Sequence, residues 1–570
     1  MTTNIFSALS SAKLGLLAQQ LAIEVTGQNI ANVETEGYSR QDVTFEANTP
    51  RHAIKYGSMH QIGTGVRVAG IERAHDQFLF EQIMDEGDLT GSTEVKKDIF
   101  EQLEILFNEG SGRSLNDALS SFFASVHDLA TNARGLSERA DLVSKAEHLA
   151  STFNQTGKQL FTIQRNIDAT IETEVTEINS LTTQIGKLNE SIHANEPASQ
   201  YKANDLRDNR DRLVKELSKK IDIQLIEESD SQISLTLKDG TALVLKDQVF
   251  DLSTSINGNN ESFYDVYIDI GSTTKDITST IQGGELRGYL DMRDTEVESI
   301  LDKMNILSAS FIQEFNGIHR AGFGIDKSSG LDFFSALDVT VEHDVDNTGT
   351  AVVSMTNASP TTVSVDEYEI AFTDSNAFTL NNLTTNASSG TFTFTAASSD
   401  TETGSTFNIK DGFAVTISGA AVSGDKVTFS VSEDAASGMS VSSTITANTR
   451  KIAAGTTTNG DGANALLMAD LQDTLSFNSV TWSGSGSGSY TFDEYYNAVV
   501  STIGIGSFSA QATLRQQEGI MLQLNSRRES ISGVSIDEEM IKMIKFQQAY
   551  NASARMISVV DEMLDALNRM

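Results

Sequence analysis

The 570-residue sequence contains no cysteine, three prolines (Pro50, Pro197, Pro360) and one tryptophan, Trp482. Without thiols there is no cysteine nucleophile, thiolate-held zinc, iron–sulfur cluster or disulfide framework. Basic residues are scarce too: 41 Lys+Arg stand against 78 Asp+Glu, a formal net charge of −37. That balance excludes a general nucleic-acid binder, which needs cations to displace counterions from phosphate. No run of 18 apolar residues occurs, so no membrane-spanning helix is predicted. The opening MTTNIFSALSSAKLG has neither a basic n-region nor an apolar h-region, so no cleaved secretory signal is expected.

The length suggests several domains, at roughly 150 residues each, and 39% hydrophobic residues are enough to build their cores. The charge is unevenly placed. Residues 1–80 hold six Lys/Arg and seven Asp/Glu, and residues 511–570 hold seven and eight. Nearly all of the negative charge therefore sits in 81–510. Neutral ends around a self-repelling middle suggest ends that touch something and a middle that faces water.

The N-terminal segment reads as a helix with two apolar stripes. Ile5, Leu9, Ala12, Leu16, Ile23 and Ile30 fall on one side, and Phe6, Leu14, Leu17, Leu21 and Val25 on the other. One stripe suffices for a surface helix, so two imply burial on both sides. The C-terminus matches it. Ser535-Ile-Asp-Glu538 has the capping-box form, with Asp537, Glu538 and Glu539 where the helix dipole favours negative charge. Ile536, Met540, Met543, Tyr550, Ala554, Ile557, Leu564 and Leu567 then follow at spacings of three, four and seven, which favours packing on another helix. A lone amphipathic helix has nothing to pack on, so the termini need each other, a partner, or both.

Between them, periodicity predicts a helix over about 137–194, ending before Pro197, and another from Asp294 to about His319. Ile221–Ile226, Ile233–Leu237, Leu243–Leu245 and Val266–Ile270 read as strands, with Asp239-Gly240 as a hairpin turn. Residues 331–450 are rich in Thr, Ser, Gly and Asn, hold three Lys/Arg against 15 Asp/Glu, and alternate like an inserted all-β domain. SGSGSGS at 483–489 is a linker, and Thr491-Phe-Asp-Glu494 restarts a helix with a second capping box.

The expected architecture is multidomain α+β. Its long terminal helices form a coiled-coil-like rod, with a mixed helical and β middle domain and an all-β outer insert. The division is 1–50 (axial helix and turn), 51–90 (connecting β segment), 91–330 (helical rod with hairpins), 331–450 (insert), 451–490 (return and linker) and 491–570 (helices pairing with the N-terminus).

Residues suited to chemistry are not grouped. The eight histidines (His52, His60, His75, His127, His148, His193, His319 and His343) show no pair spaced for a helix-borne metal site. Asp344-Val-Asp346-Asn-Thr-Gly349 begins like a calcium loop, but Met355 stands where a bidentate Glu is required, so an acidic turn is the better reading. Gly63-Thr-Gly65 lacks a P-loop lysine, and no G-x-S-x-G element occurs. No catalytic role, cofactor or metal is expected.

Five segments resemble bacterial flagellar axial proteins, and specifically the hook-associated protein 1 family. Asn29-Ile-Ala-Asn32-Val-Glu-Thr-Glu-Gly37-Tyr38-Ser-Arg40-Gln41 is similar to the signature of the broad axial class. Ser532 to Glu539, running on through Phe546-Gln547-Gln-Ala-Tyr550 and Ala552-Ser-Ala-Arg555, is similar to that class's C-terminal helix, with Ser at 535 where Asn is commoner. Three inner segments narrow the resemblance: Asn204 to Leu213 with Glu216-Leu-Ser218, Gly283 to Asp294, and Phe315 to Gly322 followed by Gly330-Leu-Asp-Phe-Phe334.

The resemblance implies a self-assembling structural subunit at the junction between hook and filament. It would form a ring of identical subunits between the hook subunit and the filament-side junction protein. It would be escorted by a flagellar export chaperone and exported to the extracellular flagellum without a cleaved signal. No nucleic-acid or membrane partner is implied. The resemblance also singles out Asn29, Asn32, Gly37, Tyr38, Asp537, Glu538, Gln547 and Arg555. The axial packing is assigned to Leu9, Leu16, Leu17, Leu21, Ile30, Met540, Met543, Tyr550, Ile557 and Leu564. The alternatives are another axial subunit (hook, rod or filament type) and an adhesin or ligand-binding role for the insert.

Overall fold

A computed structural model describes residues 2–55, 58–107, 114–196, 202–271, 273–357, 363–394, 405–409, 412–458, 460–477 and 488–569. Most of the linker at 483–489, with Trp482, lies outside them, as do the side chains of Ile5, His52, His60 and Leu567.

The first helix, α1 (Thr2–Ala31), leads into a two-stranded ribbon of β1 (Gln41–Ala47) and β4 (Val66–Arg73), with β2 (Arg51–Lys55) and β3 (Ser58–Ile62) as a separate hairpin between them. Three helices follow: α2 (Gln77–Phe107), α3 (Leu115–Thr131) and α4 (Leu136–Asn195). Helix α4 has 60 residues and is about 90 Å long. Along it Leu142, Leu149, Phe153, Leu160, Ile171, Ile178, Ile185 and Ile192 are fully buried. One continuous stripe is therefore covered in turn by α3, by α5 (Asn204–Lys220) and by strands.

Those strands are β5 (Gln224–Glu227), β6 (Ile233–Thr236), β7 (Ala242–Leu245) and β8 (Gln248–Val249) in one antiparallel sheet. A second sheet has β10 (Phe263–Ile270) between β9 (Leu252–Asn257) and β11 (Thr273–Asp276). The Asp239-Gly240 turn joins β6 to β7, with Gly240 at φ 87°, a left-handed conformation that glycine adopts without strain. Helix α6 (Gly284–Asp291) passes through a π-helical turn (Met292–Val297) into α7 (Glu298–Ala321).

The next strands are β12 (Thr340–His343), β13 (Val352–Asn357), β14 (Tyr368–Asp374), β15 (Ala377–Asn382), β16 (Ala387–Thr393), β17 (Ser405–Asn408), β18 (Phe413–Ser418) and β19 (Lys426–Ser430). They form sheets ordered 12-19-14-15-16 and 13-18-17 around their own core of Tyr368, Phe378, Phe413 and Phe429. The residues flanking these strands join the helical core instead: Phe333 and Phe334 before them, Met439 and Ile445 after. The short helices α8 (Ala435–Gly438), α9 (Ser443–Thr446) and α10 (Ala463–Asp470) bring the chain back to α11 (Phe492–Ser532) and α12 (Ile536–Asn568).

Helix α11 starts on a complete capping box. The Thr491 hydroxyl accepts from the Glu494 N–H, and the Glu494 carboxylate accepts from the Thr491 N–H. The box expected at Ser535 does not form: Ser535 makes no side-chain cap bond. The Glu538 carboxylate lies 3.9 Å from Arg40 and is mostly exposed.

Candidate functional site

The two ends of the chain lie side by side, with α1 packed along α12. The face of α1 that meets α12 is built from small residues: Ala12, Ala18, Ala22, Val25 and Thr26 are buried. A Cβ on Gly15 would stand 3.2 Å from Ser553 Oγ. Small side chains let helix axes approach closely, and Ala12, Gly15, Ala18 and Ala22 supply them here.

At the end of α1 the seam becomes polar. Asn29 is buried; its Nδ2 donates to Gln41 O (2.8 Å) and to Glu539 Oε2 (2.9 Å). Its Oδ1 accepts from Tyr38 Oη (2.9 Å) and Gln41 N (3.0 Å). One side chain thus ties the helix, the turn after it, the first strand and the C-terminal helix together. The turn is made by Asn32, whose Nδ2 donates to Gln28 O, and by Gly37 at φ 80°. Arg40 N donates to Ser532 O (2.8 Å), and Lys542 Nζ spans Asp42 (2.6 Å) and Glu539 (2.8 Å).

The first inner segment closes the far side of this node. Gln41 Nε2 donates to Asp205 Oδ1 (2.9 Å), Asn204 Nδ2 donates to Gln41 Oε1 (3.2 Å), and Ser39 N donates to Asp208 Oδ2 (3.0 Å). Arg73 bridges Asp208 and Asp211 at 2.9 and 2.6 Å. Burial, then the nearby Asp205, Asp208 and Glu539 carboxylates, push the Tyr38 hydroxyl well above its ordinary pKa, so it stays a donor. Burial also raises the Asp208 carboxyl, against the pull of Ser39 and Arg73. Burial acts against charge on Lys542, but Asp42 and Glu539 outweigh it and hold the ammonium above its usual value.

The other two inner segments act as internal bolts. Arg293 is fully buried, bonded to Asp168 (2.6 Å), to Asp294 (2.6 Å) and to Tyr264 O (2.8 Å). Asn316 Oδ1 accepts from both Phe333 N and Phe334 N at 2.9 Å, and its Nδ2 donates to Phe334 O (3.0 Å). Those rings pack with Phe122, Phe311 and Phe315, centroids 5.0–6.4 Å apart. His319 contacts Leu331 O through Nδ1 (2.7 Å) and accepts from Ala453 N at Nε2 (2.9 Å), which places its proton on Nδ1. Burial pulls this imidazole down to a pKa of about 4, so it is neutral near pH 7. The Asn204 segment adds Arg210, fully buried against Asn189 Oδ1 (3.0 Å) and Ser231 O (3.1 Å).

The residues assigned to axial packing are divided. Leu9, Leu16, Leu21, Ile30, Met543, Tyr550, Ile557 and Leu564 are half-buried. Leu17 and Met540 are exposed, at 50% and 52%. Beyond them Ile541, Ile544, Met556, Val559 and Met563 form a second, exposed apolar stripe along α12. Of the motif positions, Asn29, Asn32, Gly37, Tyr38 and Glu538 gather at the node. Asp537, Gln547 and Arg555 are exposed and make no hydrogen bond or ion pair among the described residues.

Gln41, Lys542 and Asp205 belong to the node and were not singled out from sequence, and Glu539, also in the node, was read there only as a helix-dipole charge. The signal for Glu539 was its spacing, four residues before Met543 and seven before Phe546, which puts a carboxylate on the packed face. In the acidic turn, Asp344 Oδ1 accepts from Asp346 N within the loop and from Asn259 Nδ2 of the β9–β10 turn. His127, His148, His193 and His343 are exposed.

Comparison with known proteins agrees with this geometry. Residues 100–334 match the family described as the flagellar hook-associated protein FlgK helical domain. Residues 9–38 match the flagella basal body rod protein family, and 526–570 the flagellar basal body rod FlgEFG protein C-terminal family. Flagellar hook-associated protein 1 of Escherichia coli strain K12 is 27% identical over 98% of this chain and 99% of its own. That of Bacillus subtilis strain 168 is 28% identical over 99% and 98%. The solved flagellar hook junction protein FlgK from Burkholderia pseudomallei has the same fold: TM-score 0.66, 20% identity, covering 79% of this chain and all of that one. With the rod-type termini joined in one node and the inner segments bolting the helical body between them, the chain is similar over nearly its whole length to flagellar hook-associated protein 1.

Proposed function

We infer that the chain is a structural subunit of the bacterial flagellum that builds the junction between hook and filament. The observation that carries this is the joined pair α1 and α12. It is fastened on one side by small residues and the Asn29 node, and it leaves Leu17 and a five-residue apolar stripe of α12 open on another. Open apolar stripes of that length favour burial against further helices, and identical neighbours supply them. In this reading the terminal helices form a coiled-coil-like inner layer of a ring, with the hook subunit on one side and the filament-side junction protein on the other. The strand-rich segment and the acidic middle face outward. A flagellar export chaperone would cover the open stripe before export without a cleaved signal. The division into axial termini, helical body and outer insert at 1–50, 51–90, 91–330, 331–450, 451–490 and 491–570 belongs to the same proposal.

Leu17→Asp and Met556→Asp test it. Both positions are exposed, so monomer melting should change by less than about 0.5 kcal/mol. Cells carrying either variant in place of the natural gene should complete hooks and shed filament subunits into the medium. Normal filaments on both variants would overturn the assignment of these stripes.

A further inference from the structure

The segment carrying β12–β19 is attached to the helical body by two chain crossings that lie against each other. Ser335 N donates to Ser440 O (2.8 Å), and Phe334 pairs with Val441. Helix α7 adds a seam: Gln313 Nε2 donates to Val363 O (2.7 Å), Ser308 Oγ donates to Ala435 O (2.9 Å), and Ala309 enters the strand core. Beside that seam the two bodies separate around a cleft of about 890 Å³, lined from α4, α7, the β9–β10 turn and the strands.

The β9–β10 turn reaches over the cleft. Asn259 Nδ2 donates to Asp344 Oδ1 (2.9 Å) and Asn259 Oδ1 accepts from Val345 N (2.8 Å), a two-way contact from one side chain to the segment opposite. Two consecutive non-glycine residues of this turn, Glu261 and Ser262, hold left-handed backbone at φ 45° and 63°. That conformation is costly for L-residues, so contacts elsewhere must hold the turn in place.

Charge works against the contact. From the turn comes Glu261, and from the π-helical turn and α7 come Asp294, Glu298 and Asp302. From the strand-bearing segment come Glu342, Glu367, Glu433 and Asp434. Cations are few: Lys158 lines the cleft from α4, and Lys303 lies near Asp302. Asp294 is taken by Arg293 and Glu298 by Gln164, while Glu261, Asp302, Glu342, Glu367 and Glu433 form no ion pair among the described residues.

We propose that the strand-rich segment is a hinged body, latched over this cleft by Asn259 and pushed off it by the carboxylates that face one another across it. Partial enclosure in the cleft, then the facing carboxylates, raise Glu261, Asp302 and Glu433 above the ordinary carboxylate range, while Glu261 and Asp302 stay open to water. Opening would return these groups toward ordinary carboxylate values. The closed form therefore binds more protons than the open form, so acid favours closure and rising pH favours opening. Salt, which screens the repulsion, acts in the same direction as acid.

The cysteine-free chain permits clean labelling. Spin labels on Thr162→Cys and Leu383→Cys, on opposite walls of the cleft, report its width by pulsed dipolar spectroscopy in the full-length protein. A short, narrow distance is expected at pH 5.5 and a longer or broader one at pH 8.5, reversed by salt. Asn259→Ala should move the opening midpoint to lower pH, and Glu261→Gln with Glu433→Gln should move it to higher pH. Far-UV circular dichroism confirms that each variant is folded. Distances that do not change between pH 5.5 and 8.5 in both the parent and Asn259→Ala would overturn the proposal. So would an opening that the double Gln variant leaves at the same pH.

Discussion

Asn29→Ala removes the side chain on which the two ends of the chain are knotted. It deletes three neutral hydrogen bonds, to Gln41 twice and Tyr38 once, and one bond to the Glu539 carboxylate. At about 1 kcal/mol for each neutral bond and about 2 for the charge-assisted one, the ceiling is roughly 5 kcal/mol. Water entering beside the half-buried Tyr38 restores part of this, so a loss of about 2–3 kcal/mol is expected. The loss should be local. Amide exchange should accelerate at 38–42 and 536–550, while the core of α4 keeps its protection. Asn29→Asp is the sharper variant, because it sets a second carboxylate against Glu539. It should be worse than Ala at pH 7. Asn551→Ala, exposed on α12, is the control. If Asn29→Ala exchanges like Asn551→Ala throughout the two segments, Asn29 does not hold the ends together and the reasoning fails.

Thr491→Ala should cost about 1 kcal/mol in denaturant unfolding, since it removes a capping bond that the structure contains, while Ser535→Ala should cost close to nothing. Equal losses would refute the difference between the two helix starts. His319 should make stability fall in acid. Its folded pKa of about 4 lies below the ordinary 6.5, so the unfolded chain binds more protons between these values. The contribution is present above about pH 6.5 and declines by about 3 kcal/mol as pH drops toward 4. Denaturant midpoints at pH 7 and pH 4.5 should therefore separate more in the parent than in His319→Gln, and matching separations would contradict the buried neutral imidazole. Asn316→Ala leaves Phe333 N and Phe334 N without their acceptor inside the core, and a loss of about 3 kcal/mol in global unfolding is expected. A change under 1 kcal/mol would show that the bolt is dispensable.

Much of the local architecture was legible because its causes are local. The heptad-like spacing of large residues over 137–194 gives α4, Asp239-Gly240 gives a tight turn, and Thr491 with Glu494 starts α11. The motif segments were legible as text but not as chemistry. Glu539 and Gln41 stood inside quoted segments, yet their role depends on Asn29, 510 residues from one and 12 from the other. Ser535-Glu538 shows the converse: the capping pattern is present, but Ser535 makes no side-chain cap bond.

The sequence by itself determined that the ends of this chain carry more apolar surface than one folded body needs. Hydrophobic periodicity counts every surface that prefers to leave water, whether or not this chain can cover it. Only the tertiary structure decided which surface is covered inside the chain. The side of α1 that meets α12 is the one with Ala12, Ala18, Ala22 and Asn29, because axes can approach only where side chains are small and the polar end finds its partners. Leu17 and Met540, which the sequence assigns to packing, were thereby left exposed.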